Sequence, residues 1–87
     1  MAELTIDEKL VILMEECAEV IKAASKCLRF GWNRKQKGYG QNNLVLAEEV
    51  GDLLGIIRAI PLDQERIAHY SHTKLAKAEK SKELYGK

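Results

Sequence analysis

Leu10-Val11-Ile12-Leu13-Met14-Glu15-Glu16-Cys17-Ala18-Glu19 runs from five apolar residues straight into three carboxylates. The pattern returns in mirror order at Glu49-Val50-Gly51-Asp52, which leads into Leu53-Leu54-Gly55-Ile56-Ile57. Leu10, Leu13, Cys17, Ile21, Ala24 and Leu28 recur at helical spacing, as do Leu46, Val50, Leu53, Ile57 and Ile60. Both stretches therefore predict amphipathic helices. No strand pattern appears between or after them, and an all-α fold follows.

The helix ends are marked locally. Thr5-Ile6-Asp7-Glu8 spells a capping box, with Asp7 and Glu8 at the positive end of the helix dipole. Gly31 stops the first helix. Residues 31–43 (GWNRKQKGYGQNN) have the composition of a loop. Asn42 or Asn43 is expected to cap the second helix, and Pro61 to end it. Asp63 is expected to cap a third helix, apolar early (Ile67, Ala68, Leu75) and mostly charged after Ala76, with fraying last turns. There is no internal repeat.

Residues 1–87 make one domain, with a core barely sufficient by itself. The chain is nonetheless 46% hydrophobic with one proline, so apolar surface is left over for subunit association. A net charge of +1 gives no global field for nucleic acid or membrane. Cys17 and Cys27 fall on one helix about 15 Å apart, too far to bridge, and read as reduced, buried thiols. No basic-then-apolar leader appears, and no apolar run approaches the roughly 20 residues that span a bilayer. The expectation is a soluble cytoplasmic protein.

At about 100° per residue, Glu15, Glu16 and Glu19 line one side of the first helix, and Glu49 and Asp52 lie roughly 60° apart on the second. Such acids either form a solvated face or meet a cation. Ile12, Ala23 and Cys27 share the side of Glu16 and Glu19, and Val45 and Ile56 share that of Glu49 and Asp52. Apolar residues nearly all round a helix indicate burial on more than one side. Carboxylates inside such a stripe need partners, and a shared hard cation such as Mg²⁺ satisfies several at once.

At these residues the chain resembles the all-α nucleoside triphosphate pyrophosphohydrolases, the group that includes the MazG proteins, dimeric dUTPases and phosphoribosyl-ATP pyrophosphohydrolase. Their signature, Glu-Glu-x-x-Glu followed by Glu-x-x-Asp, is matched by Glu15-Glu16-Cys17-Ala18-Glu19 and Glu49-Val50-Gly51-Asp52. The similarity covers roughly residues 8–60, and the segments LMEECAEVIKAASK and NNLVLAEEVGDLLGII look like the motif helices of MazG-like proteins of bacteria and phages. Twenty-nine residues separate Glu19 from Glu49, a long gap for the group, absorbed by the 31–43 loop.

The resemblance implies a bundle of about three helices per chain, completed into four-helix bundles by a homodimer or a dimer of dimers. It implies an active site at the dimer interface, in a bacterial or phage-infected cytoplasm. Glu15, Glu16, Glu19, Glu49 and Asp52 would be the catalytic acids. Glu16, Glu19, Glu49 and Asp52 would hold Mg²⁺, with Mn²⁺ a possible substitute, and Glu15 would complete the shell or orient water. The reaction would be hydrolysis of a nucleoside triphosphate to monophosphate and pyrophosphate, without nucleic-acid or membrane partners. The alternatives are a catalytically silent helical module that binds nucleotides or protein, and a metal-free assembly protein with an acidic surface.

The remaining candidates are basic or aromatic. Lys22 is expected to pair locally with Glu15 or Glu19, while Lys26 and Arg29 either pair locally or reach phosphate. Trp32, with Phe30 and Tyr39, either stacks on a base or pins the loop to the helices. Arg34, Lys35 and Lys37 read as exposed loop surface. Lys74 and Lys77 would contact phosphate if helix three follows the family, and otherwise form a solvated basic helix end. His69 and His72 read as ordinary helix residues, because no Glu-x-x-His pair accompanies them. Gly51 and Gly55, opposite the main apolar stripe of helix two, leave room for another helix to approach.

Overall fold

The computed structural model describes residues 3–36, 38 and 40–85. Three helices hold most of them: α1 (Ile6–Phe30), α2 (Asn42–Ala59) and α3 (Gln64–Tyr85). The protein is all-α apart from one small feature. Lys35–Gln36 (β1) and Gly40–Gln41 (β2) pair antiparallel, Lys35 opposite Gln41 and Gln36 opposite Gly40. Two-residue strands are too short to show a period-two pattern, so the 31–43 segment reads as plain loop in sequence. Gly38 and Gly40 supply the positive φ angles of 83° and 84° that the turn requires.

α1 starts as its capping box dictates. Thr5 Oγ1 accepts from the Glu8 N–H at 3.1 Å, and Glu8 Oε1 accepts from the Thr5 N–H at 2.8 Å. These bonds hold the Glu8 carboxyl below its ordinary range, the backbone one contributing most. Gly31 ends the helix at φ 113°, its N–H donating to the Cys27 carbonyl at 3.0 Å.

α2 starts differently from the expectation. Its N-cap is Gln41, which makes no side-chain cap, and both asparagines lie inside the helix. Their amides are spent on tertiary bonds. Asn42 Nδ2 donates to the Gly31 carbonyl at 2.9 Å, and Asn43 Nδ2 donates to Asn33 Oδ1 at 3.0 Å. Loop carbonyls cap the helix instead: the Asn42 and Asn43 N–H groups donate to the Arg34 and Trp32 carbonyls at 2.8 and 3.1 Å. Asn42 is the buried polar residue of the fold, at 2% exposure.

α2 ends at Ala59, two residues before Pro61. Lys9 Nζ donates to the Ala59 carbonyl at 2.9 Å, tying the start of α1 to the end of α2. The two helices are thus an antiparallel pair, joined at one end by Asn42 and at the other by Lys9. Asp63 caps α3 as expected, its Oδ1 accepting from the Arg66 N–H at 3.1 Å. α3 continues through its charged end to Tyr85.

Packing joins α1 to α2 and leaves α3 out: among the described residues, α3 makes no substantial contact with either. A three-helix bundle does not form within one chain. The radius of gyration is 16.1 Å, against about 12 Å for a compact chain of this length. The extents are 47 × 39 × 15 Å, a plate only slightly thicker than one helix.

The plate has two unlike faces. Its core at the α1–α2 seam is thin, with Ala23 and Ile60 each 5% exposed. The regular apolar stripe of α1 does not face α2. Leu10, Cys17, Ile21, Ala24 and Leu28 are exposed, Ile21 at 70% and Leu28 at 89%. Val50 and Leu54 of α2 continue this apolar face. The seam is filled instead by the second arc of α1, where Ile12, Glu16, Ala23 and Cys27 lie. The expectation of two buried thiols is corrected accordingly: both cysteines are free, Cys17 is exposed and Cys27 half-buried. No helix of the described residues is long and apolar enough to cross a membrane.

Candidate metal centre

The acidic motifs meet because α1 and α2 run antiparallel with their second arcs in contact. Glu16 comes from the middle of α1; Glu49 and Asp52, one turn apart, come from the middle of α2. One carboxylate oxygen from each lies within 4.8 Å of the other two. Glu16 and Glu49 are half-buried at the seam and Asp52 is exposed.

The electrostatics are unfavourable as they stand. The Glu16 carboxyl is held above its ordinary range, first by burial and then by the negative charge of Asp52, Glu49, Glu19 and Glu15, in that order. All five motif acids therefore share one electrostatic neighbourhood. None of the three clustered acids forms an ion pair with a lysine or arginine among the described residues; the ion pair present, Arg66 to Asp63 at 3.4 Å, is at the start of α3.

A divalent ion fits this set. All three donors are hard oxygens. An octahedral ion with bonds of about 2.1 Å places opposite ligands about 4.2 Å apart, so a 4.8 Å spread closes with small side-chain rotations or an intervening water. Glu19 does not bring an oxygen into this set. With Glu49 it lines a neighbouring cleft of about 110 Å³, together with Lys22, Ala23, Lys26 and Val45. Glu15 is exposed on the same side of α1.

The other candidates are spread more widely. Lys26 lines the cleft, while the Arg29 guanidinium lies over the Phe30 ring at 4.9 Å from its centroid. Trp32 borders a different hollow, apolar and about 270 Å³, shared with Ala24, Cys27, Leu28 and Leu46 on the apolar face. The structure thus separates Trp32 from the acids. Lys74 and Lys77 ride on α3, away from the α1–α2 pair, and Lys77 Nζ sits 4.9 Å from the Tyr70 ring centroid. Arg34 and Lys35 are exposed, and Lys37 and Tyr39 lie outside the described residues. The His69 ring packs edge-on against Tyr70 at 5.1 Å, an ordinary helix-surface contact.

One placement escaped the sequence reading. Lys22 makes no ion pair with Glu15 or Glu19 and instead borders the cleft. Its i,i+4 spacing to Lys26 was the available signal. Gly51 and Gly55, expected to leave room for another helix, face open space within the single chain, with nothing within 4 Å of where a Cβ would stand. Compared with protein-family models, curated proteins and solved structures, the chain matches none.

Proposed function

We propose that this protein is a small Mg²⁺-dependent nucleoside triphosphate pyrophosphohydrolase of the MazG-like kind, working as a homodimer or dimer of dimers in the cytoplasm. One observation carries the reading. Three carboxylates from two helices converge within 4.8 Å, and among the described residues none of them is ion-paired to a lysine or arginine. The motif order Glu-Glu-x-x-Glu then Glu-x-x-Asp supports it independently.

Glu16, Glu49 and Asp52 would hold the ion through their carboxylate oxygens. Glu19 and Glu15, close enough to raise the Glu16 pKa, would orient the attacking water. A divalent ion, when bound, supplies positive charge against the phosphate oxygens and acidifies water. The seam residues Ile12, Ala23 and Val45 limit solvent on the inner side. The uncovered apolar face of Leu10, Ile21, Leu28 and Leu54 is the surface a second copy would cover, and four-helix bundles would form there.

The test is a panel of ribo- and deoxyribonucleoside triphosphates with and without Mg²⁺, quantifying pyrophosphate and orthophosphate. Pyrophosphate plus monophosphate from a subset, only with Mg²⁺, is expected. Glu49→Gln and Asp52→Asn each lower turnover by at least a hundredfold, with the circular-dichroism helix signal unchanged. Full activity in both variants removes the acids from the reaction. Nucleotide binding without pyrophosphate release points to the catalytically silent module instead.

A further inference from the structure

α3 is 22 residues of helix without a substantial neighbour among the described residues. Helices in proteins draw most of their stability from a packed face rather than from propensity. α3 has such a face: Ile67, Ser71, Leu75 and Ala78 recur at helical spacing. It lies open, with Leu75 69% exposed. The linker holds α3 away from its own helix pair. Ile60 is buried, the Leu62 N–H donates to the Ile60 carbonyl at 2.8 Å, and Asp63 caps the helix that follows. The stripe of α1 through Leu10, Ile21 and Leu28 is equally uncovered. The chain exposes 7434 Å², against about 5,200 Å² for a compact monomer of 9.8 kDa. The excess, roughly 2,200 Å², falls within the range of about 1,000–2,500 Å² that each partner gives up in an obligate dimer.

Charge fixes the direction in which the two open faces match. Residues 3–19 carry six acids and one lysine, and residues 20–30 carry three basic residues and no acid. α3 is arranged in the same order. Asp63 and Glu65 stand at its start against Arg66, and further on Lys74, Lys77, Lys80 and Lys82 outnumber Glu79 and Glu83. Both helices thus run from acidic to basic, and an antiparallel contact brings opposite charges together where a parallel one sets like against like. We infer that α3 of a second copy lies antiparallel along the apolar stripe of α1, the two chains exchanging their third helices. Ile67 then meets the Leu28 end of the stripe, and Lys82 meets the Asp7 end. A two-fold places α1 and α3 of both chains around one axis, four helices in all. The inference rests on the proposed pairing of two chains and deepens it, and it is independent of the proposed reaction.

Disulfide trapping on the full chain tests the contact, because a bridge forms only between closely placed cysteines. The native thiols are first removed by Cys17→Ser and Cys27→Ser. Leu28→Cys combined with Ile67→Cys, or with Ser71→Cys, is expected to link two chains on mild oxidation, while Leu10→Cys with the same partners links none. A bridge within one chain reports closure of α3 on its own pair, a bridge from Leu10→Cys reports a parallel contact, and a bridge from Leu28→Cys alone reports α1 against α1. Each of these overturns the inference, as does the absence of any bridge. Sedimentation supplies the second readout. Leu75 is exposed in the single chain, so Leu75→Glu disturbs nothing there and is expected to shift the dimer to monomer. The two readings fail separately. A dimer that Leu75→Glu leaves intact overturns the exchange and keeps the pairing, whereas a wild-type chain that is monomeric at every concentration ends both.

Discussion

Glu16 concentrates the chemistry of the chain in one side chain. In the unfolded chain it titrates as an ordinary carboxylate, near 4.3. In the fold, burial and four neighbouring acids raise it. Between those two values the folded state holds more protons than the unfolded one. Its contribution to stability is therefore most favourable below the ordinary range and declines as pH climbs through the raised value. A divalent ion competes with the proton for the same oxygens and removes the penalty. We expect Glu16→Gln to raise the Tm of the metal-free protein at neutral pH. Under the proposed metal binding, Mg²⁺ raises the Tm of the wild type and the same variant should lose that increase. Thermal melts at several pH values, with chelator or with Mg²⁺, check both, and a Tm lowered by the substitution under chelator contradicts the strain argument. This residue was legible in sequence because Ile12 and Ala23 share its side of α1. Lys22 was less so, since a lysine three residues after a glutamate reads first as its ion-pair partner, and only tertiary placement shows the cleft.

Among the elements, α1 teaches most about what periodicity contains. It has two apolar arcs, and repeat spacing alone does not say which one meets α2. The more regular arc, through Leu10, Cys17, Ile21 and Leu28, stays uncovered, and the arc that carries Glu16 packs. The capping box of α1 and the Asp63 cap of α3 were readable because each is made within four residues of chain. The start of α2 was not. Asn42 looks like a local cap, but its amide reaches across to the Gly31 carbonyl and joins the two helices. Asn42→Ala is expected to lower stability by about 0.5–1.5 kcal/mol, the net worth of one hydrogen bond, since the Gly31 carbonyl still accepts from the Arg34 N–H at 3.3 Å. Asn43→Ala, whose bond to Asn33 is exposed, should lose less. Urea unfolding of both variants decides, and equal midpoints would remove Asn42 from this linking role.

The whole molecule is thinner than its composition leads one to expect. A 46% hydrophobic chain with two buried apolar residues among those described has left most of its apolar surface outside. Excess apolar surface was legible from length and composition; that part of it forms a continuous face on α1 and α2, through Leu10, Ile21, Leu28 and Leu54, needed the helix pairing. Under the proposed assembly the Tm rises with protein concentration, because association stabilises by mass action. Ile21→Lys, at a side chain 70% exposed in the single chain, should shift sedimentation toward monomer and abolish that concentration dependence. A Tm constant across a hundredfold dilution would count against the partner copy. The 15 Å thickness also bears on how such a protein behaves as its synthesis varies. Under the proposed assembly, a chain that keeps so little of itself dry alone is open to proteases until it pairs. With the proposed dimer, the finished amount grows at low copy number with the square of the number of chains made, rather than in proportion. Weak, leaky expression would then leave almost no working molecules, while a burst of synthesis would cross a dosage threshold within a narrow range.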